Sequence, residues 1–158
     1  MAEGVRVDVH QLAGWASRLI HGTAEPADLN TRHVPDHACH LLPGWYEEWV
    51  VMERERLRQR VLHALEALAE LHSERGRHAE AVDAATRAVT EEPLRETAQR
   101  VLLAAYLAQG NQAEARLAYG AFARLLRREL GVEPSRHLTA LLGCQDVTST
   151  RGRAIGLG

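Results

Sequence analysis

Apolar residues recur along this chain at three- and four-residue intervals, the period of an amphipathic helix. The exception is a scrap at 5–9, Val-Arg-Val-Asp-Val, which alternates like the end of a strand. Asp8 and Gln11 then resemble a capping box for a helix whose inner face carries Leu12, Trp15 or Ala16, Leu19 and Ile20, ended by Gly22. Pro26 suits the first turn of a second helix, which Pro35 interrupts. After the Pro43-Gly44 break, Trp45 and Trp49 stand one turn apart and open a long helix to Arg75. Its apolar stripe is Trp49, Met52, Leu57, Val61, Leu65, Leu68 and Leu71 or His72. Gly76 caps it. Helices follow over 78–90, 97–109 and from Gln112 to about Leu130, parted by the 91–96 turn and Gly110. A short helix from Pro134 ends at Leu142, and from Cys144 to Gly158 no apolar pattern remains, so a disordered tail is expected.

The helices come in a written repeat. Gly-Arg-His-Ala-Glu-Ala at 76–81 returns as Gly-Asn-Gln-Ala-Glu-Ala at 110–115, 34 residues later. A 34-residue period of paired helices is the tetratricopeptide signature. With the first repeat at 62–95, small packing residues fall at Ala69, Ala81 and Ala88, and the closing proline is Pro93. The second, 96–129, places Leu102, Tyr106, Gly110, Ala115 and Tyr119 at corresponding sites, with Tyr106 and Tyr119 expected in the core. It departs from the usual pattern at Gln99, normally aromatic, and at Arg127, normally proline. Gly22 and Ala27 repeat the turn-to-alanine spacing, which predicts a degenerate first hairpin. The expected fold is therefore all-α: a right-handed tetratricopeptide-like superhelix of about three antiparallel hairpins plus a capping helix.

Such repeats bind peptides in a groove lined by the first helix of each pair. Here that lining is His63, Glu66, Glu70 and Glu74, then Thr97, Arg100 and Ala104, an acidic set that suits a basic or helical partner. Charge elsewhere is balanced: 19 basic against 21 acidic residues, every basic one arginine, which excludes a broad phosphate-binding face. Arg124, Arg127 and Arg128 form one small basic face. Two cysteines are too few for a disulfide scaffold and point to a cytoplasmic protein. No apolar run approaches the ~20 residues of a membrane span.

His33, Asp36, His37, Cys39 and His40 lie within eight residues and have metal-ligand chemistry. Pro35 sits between the two histidines that a helix would have to present together, and no second ligand pair appears. The segment reads as a solvent-exposed loop, with a metal-sensing role as the competing reading. No nucleophile–base pair, phosphate loop or metal-hydrolase motif is present, so neither an enzyme nor a cofactor is expected.

Three strings carry a family likeness: Leu42-Pro43-Gly44-Trp45, Pro93-Leu94-Arg95-Glu96 and Glu129-Leu130-Gly131-Val132-Glu133-Pro134. From about Val5 to Leu142 the chain resembles the bacterial transcriptional activation domain of AfsR/SARP-type regulators of secondary metabolism. That resemblance implies a protein–protein interaction module that supports dimerisation and contacts RNA polymerase or its sigma factor. It also implies a winged-helix DNA-binding domain ahead of the module, of which residues 1–9 are expected to be a linker or last-strand remnant. The module itself is expected at 10–143, reading DNA only through that missing domain. Candidate contact residues are Trp45, Tyr46, Trp49, His63, Glu66, Glu70 and Arg100. The competing function is a stand-alone adaptor in a signalling or biosynthetic complex.

Overall fold

The computed structural model describes residues 9–32, 34 and 48–151, the side chains of 48, 49 and 144–151 excepted. Six α-helices account for most of them: α1 (Val9–Ile20), α2 (Glu48–Glu74), α3 (His78–Glu91), α4 (Glu96–Ala108), α5 (Gln112–Leu130) and α6 (Arg136–Arg151). Helices α2–α3 and α4–α5 are the two predicted hairpins. α3 also packs on α4, and α2 on α4, so the two hairpins stack. α1 lies against α2 at one end, and α6 against α4 at the other. This is the all-α stack of helical hairpins that the repeat predicts.

The turns are copied along with the helices. Gly76 and Gly110 adopt φ of 70° and 80°, a left-handed backbone that L side chains rarely take. Past Gly76, the Arg77 N–H donates to the His72 carbonyl at 2.8 Å; past Gly110, the Asn111 N–H donates to the Tyr106 carbonyl at 2.9 Å. The Thr23 N–H donates likewise to the Arg18 carbonyl at 2.9 Å beyond Gly22, so α1 ends in the same cap.

Small residues let the hairpins close. α3 buries four alanines, Ala81, Ala84, Ala85 and Ala88, each at most 1% exposed. With no bulk beyond Cβ on that face, neighbouring backbones approach and pack the leucines of α2 and α4 to interior density. One apolar cluster joins α1, α2, α3 and the start of α4 around Trp15, Leu62, Leu65 and Leu68. A second joins α4, α5 and α6 around Leu103, Phe122, Leu126 and Leu138. Tyr106 packs against both, and Tyr119 against the second, where its hydroxyl lies 3.0 Å from Thr139 Oγ1.

Several expectations need correction. Val9, the end of the alternating scrap, is the first residue of α1; residues 1–8 lie outside the described set. The helix expected after Pro26 is a single 3-10 turn, Pro26–Asp28, and Ala27 is exposed where Ala81 and Ala115 are buried. The cause is Asp28, which is 3% exposed. Its carboxylate accepts from both Arg18 Nε and Nη2, at 2.8 and 2.7 Å, and from the Glu25 N–H at 2.9 Å. The Asp28 carbonyl accepts from the Trp15 indole at 3.0 Å. These contacts pull the chain across α1. Those hydrogen bonds raise the affinity of the Arg18 guanidinium for its proton.

On α2 the predicted stripe is too narrow. Met52 is 54% exposed, while Val50, Leu62, Ala64 and Ala69 are buried, because α1 covers one side of α2 and α3 with α4 the other. Ile20, expected on the inner face of α1, is 40% exposed. α6 continues to Arg151 rather than stopping at Leu142. Gly143 alone does not break it, and no proline follows before Gly152.

Candidate partner-binding face

α2 and α4 run side by side as the first helices of their hairpins, and their polar faces meet. On α2, Gln59, His63, Glu66 and Glu70 recur at intervals of three and four and share one face. Facing them is Arg95, just ahead of α4, together with Thr97 and Arg100 on α4.

Glu66 is the centre of this face. Its Oε1 accepts from Arg95 Nε at 2.7 Å and from the Thr97 hydroxyl at 2.6 Å; its Oε2 accepts from Arg95 Nη2 at 3.4 Å. Arg95 Nη1 also donates to Gln59 Oε1 at 2.7 Å. The Arg95 and Glu66 side chains are only 15% and 12% exposed, which makes this a largely desolvated pair. One turn along, Arg100 Nη2 donates to Glu70 Oε1 at 2.9 Å, and both side chains are about half exposed at 46% and 51%.

At the other end Arg58 bridges two elements. It donates to Glu55 through Nε at 2.9 Å and to Glu92, beyond α3, through Nη1 at 2.5 Å. Its hydrogen bonds to Glu55 first and Glu92 second hold the guanidinium proton more tightly than usual. Hydrogen bonds from Arg58 and then Gln59 keep the Glu55 carboxyl below the ordinary range.

The structure thus brings Glu66, Glu70 and Arg100 together and leaves His63 exposed beside them on α2. Trp45 and Tyr46 lie outside the described residues. Trp49 is in the first turn of α2, with its side chain outside them too. The groove is less acidic than its sequence suggests. Arg95 neutralises Glu66 and Arg100 neutralises Glu70, while Glu74 is exposed with no ion pair among the described residues. Arg95 was missed because it sits in the turn after Pro93. Its spacing of 29 residues from Glu66, close to one repeat, is the signal that could have found it.

The other charged features fare differently. Arg127 is tied to Glu133 at 2.6 Å and Arg128 to Glu129 at 2.8 Å, so much of the predicted basic face is internally matched. His33 and 35–40 lie outside the described residues, and among the described ones no three potential ligands cluster to hold a metal ion. No helix among them is long and apolar enough to cross a membrane.

Comparison with known proteins places this face within a recognised module. The family model for the bacterial transcriptional activator domain matches residues 28–143. Two proteins named regulatory protein AfsR are similar to this chain, from Streptomyces griseus and from Streptomyces coelicolor (strain ATCC BAA-471 / A3(2) / M145). They are 39% and 38% identical over 100 residues, which is 63% of this chain and 10% of each relative. The chain therefore spans about a tenth of the length of the curated relatives it matches. No solved structure matches it. These findings favour a regulatory role over the stand-alone adaptor.

Proposed function

This chain belongs to the bacterial transcriptional activator domain family, a family of transcription regulators, and we propose that it acts by docking RNA polymerase or its sigma factor on the α2–α4 face. The supporting observation is the polar ladder itself. Two first helices present His63, Glu70, Glu74 and Arg100 to solvent on a surface held rigid by the Glu66–Arg95 pair. A protein partner can exchange the half-exposed Glu70–Arg100 pair for its own charges at little cost, whereas Glu66 is a support rather than a contact. In this reading the domain is not an enzyme. It functions beside a winged-helix DNA-binding domain, dimerises, and resides in the cytoplasm. Trp45, Tyr46 and Trp49 are further contact residues in this reading.

Binding to purified RNA polymerase holoenzyme tests this. A variant with His63, Glu70 and Arg100 all changed to alanine is expected to bind about tenfold more weakly while keeping the wild-type helical circular dichroism. Equal binding by variant and wild type would remove the α2–α4 face from the proposal.

A further inference from the structure

The outer surface of α5 is not used by the fold. Ala113, Leu117, Gly120, Ala121, Arg124 and Arg128 recur at three- and four-residue intervals and share one face of the helix. Leu117 is 66% exposed, the largest value among the exposed large hydrophobic residues of the described set. Around it the surface is low, built from two alanines and a glycine.

Gly120 is the less expected of these residues. It lies in mid-helix, where glycine weakens the helix relative to alanine. A Cβ built there meets only the Arg124 guanidinium, at an ordinary 3.5 Å, so nothing within the chain requires glycine. What a missing Cβ offers is close approach from outside.

Glu114 and Arg116 flank the N-terminal half of the stripe, and Arg124 and Arg128 lie on its C-terminal end. Arg124 is exposed and has no ion pair among the described residues. Arg128 is 74% exposed and paired only with its chain neighbour Glu129. A low apolar strip followed by two accessible guanidinium groups is complementary to a helix with leucine-like side chains followed by carboxylates.

We propose that this stripe docks an acidic amphipathic helix of a partner protein, its apolar side chains on Leu117 and its carboxylates on Arg124 and Arg128. The site is separate from the α2–α4 face and stands whether or not that face binds polymerase.

The test titrates the isotope-labelled full chain with a lactam-stapled helical peptide carrying leucine and glutamate on one face, and with its lysine counterpart. Saturable amide shifts confined to 113–128, with the glutamate peptide alone, are expected. Leu117→Ser should weaken the interaction about tenfold, the loss of one buried leucine, without changing the circular dichroism. Arg124→Glu combined with Arg128→Glu should reverse the preference between the peptides. Gly120→Ala should raise Tm yet weaken binding, a combination that a purely structural role for Gly120 would not produce. The proposal is overturned if neither peptide gives saturable shifts or if the lysine peptide binds equally. It is also overturned if Leu117→Ser changes the sedimentation of the chain alone, because the occupant would then be a second copy.

Discussion

Glu66–Arg95 and Glu70–Arg100 are the same chemistry at two depths, and depth should decide their worth. A double-mutant cycle on Glu66 and Arg95 by urea unfolding should give a coupling of about 1–3 kcal/mol, because each group left alone is desolvated. For the half-exposed Glu70 and Arg100, the same cycle should stay within about 0.5 kcal/mol. His72 adds a pH dependence. It is 2% exposed with no partner for Nδ1, and burial lowers its proton affinity, opposed by the Glu80 charge and a backbone hydrogen bond with Leu29 and reinforced by Arg77 and Arg75. The unfolded chain takes up that proton near the ordinary pKa of ~6.5 while the folded chain resists, so stability is present above that value and falls as pH drops below it. Between pH 7.5 and 5.5 the urea midpoint of His72→Gln should therefore fall less than that of the wild type. The sequence register marked Glu66, Glu70 and Arg100 as neighbours because they occupy repeat positions. It could not show that Arg95 reaches two turns of α2, since that depends on how the hairpins stack.

At the scale of elements, the caps at Gly76 and Gly110 are interchangeable parts. Replacing either by alanine forces a Cβ into left-handed backbone and should cost about 1 kcal/mol, with the double variant losing about twice that, measured by thermal unfolding. These turns were legible because only glycine chemistry and the apolar period were needed to find them. Helices α3 to α5 consequently begin and end within a residue of expectation, and α2 ends within one. The stretch after Gly22 was not legible. Its turn has the same cap, but Asp28 is drawn inward by Arg18 and Trp15, side chains ten and thirteen residues earlier. Arg87 on α3 then holds the chain by donating to the carbonyls of Thr31 and Val34. Local propensity contains none of those non-local bonds, and so it predicted a helix where a strap of irregular backbone crosses to α3.

On the scale of the whole molecule, two apolar clusters meet through Tyr106. Tyr106→Ala should destabilise the chain by about 2 kcal/mol and broaden its thermal unfolding when followed by circular dichroism, because the halves lose a side chain that couples them. The bridges from α2 to the α3–α4 turn and to α4 carry a second lesson. Arg58–Glu92, Gln59–Arg95, Glu66–Thr97 and Glu70–Arg100 link residues 34, 36, 31 and 30 positions apart, all close to one repeat. Length change in this chain is thereby quantised. A single residue gained within α3 or the turn before it shifts every rung of the ladder out of phase at once. Duplicating a complete repeat carries donors, acceptors and turn glycines along in step. Evolution can lengthen such a surface in whole hairpins far more readily than it can adjust it by one residue.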